Sequence, residues 1–195
     1  YTATIFDVEI VEALEFEDAN INPVQLSVNN WNIYPYLVGN PHDPVLRMQQ
    51  QDSEDNSAVI SLEIGDSPKL SKLEFTISYD PDILSYNRYD VIDFFDVPNN
   101  YIPIPVLSDT QGEIKLEFIH NNASQSSSIP DETTFSEGNG TIVNIEFLVI
   151  SNDSTATLTM PRNSVSAESY NFSIGESYPL DINFWTIDES LQINF

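Results

Sequence analysis

The chain has 195 residues, 41% of them apolar, enough to bury one substantial core but leaving little room for two full domains. Six Lys and Arg stand against thirty-one Asp and Glu, a formal charge of −25, so the surface repels phosphate backbones and anionic headgroups; no nucleic-acid or membrane-surface partner is expected, and cations or a basic protein patch are favoured. No cysteine is present, which removes disulfides, thiolate nucleophiles and zinc–thiolate sites.

Residues 1–44 contain no Lys or Arg and read as an N-terminal extended arm and linker. In TIFDVEI, Thr4, Phe6, Val8 and Ile10 point to one side of a strand, and Ile5, Asp7 and Glu9 to the other. After Val11 the alternation slips to Leu14 and Phe16 against Glu15 and Glu17, as a bulge produces. A helix over VEIVEALEFED is the alternative, with Val8, Val11, Glu12 and Glu15 at helical spacing. The acids Asp7, Glu9, Glu12 and Glu15 are candidate Ca²⁺ ligands at a subunit contact, because the ion takes carboxylate oxygens and relieves their repulsion. Trp31, Tyr34 and Tyr36 either staple the linker to the domain or, with Trp185, form a sugar-stacking platform. Gly39, Pro41 and Pro44 mark the linker's end.

From residue 45 to 195, period-two alternation broken by Gly, Pro, Asn, Asp and Ser clusters predicts an all-β, antiparallel β-sandwich domain. Strands are expected over 45–49, 57–64, 71–79, 101–107, 112–120, 141–150, 154–160, 182–187 and 190–195, with a helical turn at 91–97. Near its start, DSEDNSAVISLE sets Asp52, Glu54, Asn56 and Glu63 at EF-hand ligand positions. Ser57 stands where the sharp turn needs Gly, and the second half alternates like a strand, which favours a solvated acidic turn. Pro103 and Pro105 lack an N–H and confine 101–107 to an edge or to a place outside the sheet. Residues 121–140 exceed an ordinary hairpin loop.

Within KLEFTISYDPDILSY, Pro81 ends a strand and biases Asp80 toward extended geometry, so that the carboxylates cap a corner while Ile83 and Leu84 tuck under the sheet. This run, together with VLRM, SAVISLEI, GEIKLEFIH and Gly140 leading into TIVNIEFLVIS, resembles the cohesin family, β-sandwich modules of bacterial scaffolding proteins that bind dockerins. The resemblance covers 45–195 and makes Tyr79, Asp80, Pro81 and Leu84 its scaffold motif. It implies a nine-stranded, jelly-roll-like sandwich with adjacent termini, no catalytic machinery, and recognition of a protein through one sheet face.

No enzyme is expected. His42 in the linker and His120 at a strand end suit surface or capping roles, and neither sits near a nucleophile elbow. No carboxylate pair lies in an E-x-D-x-x-E-like strand motif. The absence of about eighteen consecutive apolar residues argues against a membrane span. An opening on Tyr1 rather than Met is what a processed, secreted chain would show, giving an extracellular or cell-surface location. The leading functional expectation is self-assembly: Phe6, Val8 and Ile10 donated into a neighbouring sandwich would contribute roughly 6 kcal/mol at about 2 per side chain. Repetition of that contact gives a homo-oligomer or filament. The alternatives are a cohesin binding a dockerin-bearing protein and a carbohydrate-binding module. No cofactor beyond Ca²⁺ is expected.

Overall fold

The computed structural model describes residues 43–51, 56–97, 99–107, 112–121, 129–151 and 155–195, with Val106 and Leu107 described by their backbone alone. Outside them lie the arm with Thr4, Phe6, Val8 and Ile10, its acids Asp7, Glu9, Glu12 and Glu15, the aromatics Trp31, Tyr34 and Tyr36, and also His42, Asp52 and Glu54.

Among the described residues twelve strands form two sheets. In the first, β1 (Val45–Gln50), β2 (Ser57–Leu70), β7 (Ser136–Val149) and β4 (Leu84–Val91) pair antiparallel in that order, and the short β11 (Thr186–Ile187) runs parallel to β1 on its other side. The second sheet has the order β10 (Glu176–Pro179), β9 (Ser166–Asn171), β3 (Lys72–Ser78), β6 (Glu113–His120), β5 (Tyr101–Leu107). There, β8 (Thr155–Thr159) joins β3 at Ser78, and β12 (Ser190–Asn194) pairs with β8. The fold is thus the expected all-β sandwich.

Alternation explains the core. Leu73, Phe75 and Ile77 of β3 face inward with Ile114, Leu116 and Phe118 of β6, against Ile60 and Leu62 of β2 and Ile145 and Phe147 of β7, all buried. The Tyr-Asp-Pro corner behaves as its sequence predicts. Asp80 Oδ1 accepts the Asp82 N–H at 2.9 Å, and the Asp80 carbonyl accepts from Ile83 and Leu84 at 3.2 and 2.9 Å. Leu84 is buried and Ile83 half-buried. Gly112 closes the corner: the Tyr79 N–H donates to its carbonyl at 2.7 Å, its φ is +108°, and a Cβ there would lie 2.8 Å from the Tyr79 carbonyl oxygen.

Several local expectations are corrected. Twelve strands stand in place of nine; the expected 154–160 is β8, which Pro161 and the 3-10 turn at Arg162–Ser164 end. Residues 91–97 make no helical turn: β4 ends at Val91, and bends then carry Phe94 and Phe95 into the core. The glycine-rich 136–140 is strand rather than loop, pairing with the distal half of β2 through successive register shifts. Residues 182–187 divide into a 3-10 turn, Ile182–Phe184, and β11; Asp181 Oδ1 caps the turn by accepting the Asn183 N–H. Strands β4, β9 and β10 were not anticipated. His120 is neither surface nor cap: it faces the core at the end of β6 and is fully buried. One side chain joins the sheets at their edge. The Gln50 amide donates to the Asn194 carbonyl at 2.8 Å and accepts the Asn194 N–H at 3.0 Å, a side-chain imitation of a ladder pair.

Candidate protein-binding face

Directly opposed residues of an antiparallel pair share a face. The register of β5, β6, β3 and β9 therefore writes the outer surface of the second sheet as rows. One row is Ile102, Ile119, Lys72, Glu168; the next is Ile104, Glu117, Glu74, Ser166. Ile102 and Ile104 are 50% and 37% exposed, so an apolar stripe runs along the β5 side. On the opposite side, Ser78, Thr159, Ser190, Thr157 and Gln192 supply hydroxyls and an amide.

Between these bands, Glu74 and Glu117 sit directly across from each other, an arrangement that by itself repels. Two of the chain's six basic residues resolve it. Lys72 lies 2.6 Å from Glu117 and 3.4 Å from Glu74, and Lys115 lies 2.7 Å from Glu74. The hydrogen bond from Lys115 holds the Glu74 carboxyl below its ordinary value despite desolvation, and the bond to Glu117 raises the Lys72 ammonium above its own. Charges of both signs are thus held in fixed positions beside an exposed apolar stripe, the composition of a recognition surface with a greasy anchor and a polar surround.

The sheet edge beside this face is protected. Pro103 and Pro105 sit two apart in β5, which pairs with β6 along Tyr101–Leu107, so their missing donors fall on the free side. In the other sheet, edge strand β4 carries a register shift between Tyr86 and Arg88 and the Arg88–Glu146 ion pair at 2.6 Å.

None of the face residues was singled out from sequence. Their outward parity was visible, but the register that brings 72–74 beside 115–117 was not. Of the residues that were singled out, Tyr79, Asp80, Pro81 and Leu84 come together at the corner. Glu63 of the EF-hand-like run lies on β2 opposite Arg47. Trp185 is buried, and so offers no sugar platform there. Among the described residues no group of three or more His, Asp or Glu side chains is placed to share a metal ion, and no helix is long and apolar enough to cross a membrane.

No protein-family model matches the chain, and no curated protein does. Solved structures do. CaCohA2 from Clostridium acetobutylicum superposes with a TM-score of 0.61 at 16% identity, over 78% of this chain and 90% of that one. The seventh ScaB type I cohesin from Pseudobacteroides cellulosolvens gives 0.59 at 14%, over 78% and 92%. A chain of the Coh-OlpA-Doc918 complex, a type I cohesin–dockerin complex from Clostridium thermocellum, gives 0.59 at 8%, over 78% and 99%. The sandwich therefore has a cohesin-like fold.

Proposed function

We propose that the chain is a non-catalytic protein-interaction module, extracellular or on a cell surface, that binds a dockerin-like partner through the outer face of β5, β6 and β3. The observation that carries this reading is the exposed Ile102–Ile104 stripe beside the Lys72–Glu74–Lys115–Glu117 cluster, presented on a cohesin-like sandwich. Solved chains of this fold include one from a complex with a dockerin, which favours this reading over self-assembly. Donation of residues 4–10 to a neighbour has less support at two of the sheet edges, where β5 lacks two donors and β4 is bulged and charged.

Isothermal titration against a panel of dockerins, with and without calcium, tests the proposal. Saturable heat is expected for at least one of them, and Ile104→Asp should weaken that binding about tenfold or more, as loss of an interface anchor does. No heat from any dockerin at any calcium concentration would end it.

A further inference from the structure

We propose that His120 is an acid-sensitive latch that holds the segment Asp131–Phe135 against the end of the sandwich, and that its protonation frees this segment. The imidazole closes β6 and is 0% exposed. Phe135 stacks on it with ring centroids 3.9 Å apart and 12° between planes, and Tyr101 meets it edge-on at 5.0 Å and 88°. Its Nε2 lies 3.0 Å from Thr134 Oγ1. That hydroxyl already donates to the Asp131 carbonyl at 2.6 Å, so the neutral ring serves as the donor through Nε2–H.

The segment is a single 3-10 turn, Glu132–Thr134, capped by Asp131 Oδ1, which accepts both the N–H and the hydroxyl of Thr133. Its other ties among the described residues are few: Lys69 on β2 lies 2.6 Å from Glu132, and the Ser136 N–H donates to the Tyr101 hydroxyl at 2.8 Å. His120 and Phe135 thus form much of the seal. Beyond Phe135 lie Tyr170 and Phe172, with centroids 5.4 and 5.0 Å from it, and freeing the segment would bare this aromatic group.

Among the described residues, the ionisable groups around the latch include Tyr101 on β5, Asp131 and Glu132 on the segment, Lys69 on β2, and Tyr170 on β9. Burial pushes Tyr101 up to about 12, so it stays neutral, and the hydrogen bonds that Asp131 accepts from Thr133 hold the Asp131 carboxyl low and charged. Burial likewise lowers the His120 imidazole, only partly opposed by a hydrogen bond to the Thr134 backbone. A freed segment would leave the ring in water near its ordinary value of about 6.5. The closed form binds fewer protons than the open one, so its advantage is complete above that value. It declines as pH falls below about 6.5 and is lost below the buried value.

The test is an NMR titration of the full chain from about pH 7.5 to about pH 5, spanning the histidine range. It follows the His120 ring and the amides of Thr134, Phe135 and Ser136, in wild type and in His120→Phe, which keeps an aromatic ring and removes the titration. In wild type the closed-state amide signals should be lost with the same midpoint as the imidazole, and in the variant they should persist. An imidazole that stays neutral throughout overturns the proposal. So do amides that hold their positions while the ring titrates, or a variant that shows the same transition. If the variant does not fold, the coincidence of wild-type midpoints decides.

Discussion

Gly112 shows at the scale of one residue how little latitude the Tyr-Asp-Pro corner has. Its φ of +108° is strained for any side chain, and a methyl group would also press on the Tyr79 carbonyl and on the Pro81 ring, whose Cδ would be 3.3 Å away. Gly138, with φ +84° and nothing within 4 Å of a Cβ, has the first problem without the second. Gly112→Ala should therefore cost about 2–3 kcal/mol and Gly138→Ala about 1, read as midpoint shifts in urea unfolding. Equal losses would mean that dihedral strain alone sets the requirement. The corner itself was readable in advance because its determinants are adjacent in the chain: a proline, the aspartate before it, and a leucine three residues on. Gly112 was not, since it meets Tyr79 from thirty-three residues away (112 − 79).

At the scale of elements, β5 is the informative strand. Its exposed isoleucines invite contact across the face, while Pro103 and Pro105 deny it along the edge. Replacing both prolines with Thr restores two outward N–H donors without touching Ile102 or Ile104. The expected outcome is concentration-dependent association of the double variant in light scattering, under conditions where the wild type scatters less. No difference would show that the prolines do not guard the edge. Strands β3 and β6 were foreseen because they alternate without interruption between a core face and a solvent face. By contrast β4, LSYNRYDV, bulges at an edge, and β9 and β10 are short and polar, so hydrophobic period carried no signal there. The charge cluster stayed hidden for a different reason: its four members come from two strands whose register only the folded sheet defines.

For the whole molecule, the formal charge of −25 dominates. Self-repulsion should outweigh the few ion pairs, most of them partly exposed, so added salt should stabilise the domain. Raising sodium chloride from about 10 mM to about 0.5 M should lift the melting temperature by roughly 2–4 °C, equivalent to about 1 kcal/mol. A fall instead would show that the Lys72–Glu117 and Lys115–Glu74 pairs matter more than the net charge.

The way the two ends of the sandwich lie together has a mechanical consequence. Val45 sits opposite Thr186 in a parallel pair, and at the far end of β1 the Gln50 amide grips the backbone of Asn194 in β12. A pull applied between Val45 and Asn194 is therefore directed along β1 rather than across it. All six pairs from Val45↔Gly65 to Gln50↔Ile60 would bear that load together in shear, instead of opening one after another like a zip. Tension along the axis of β1 is thus shared by the whole β1–β2 ladder.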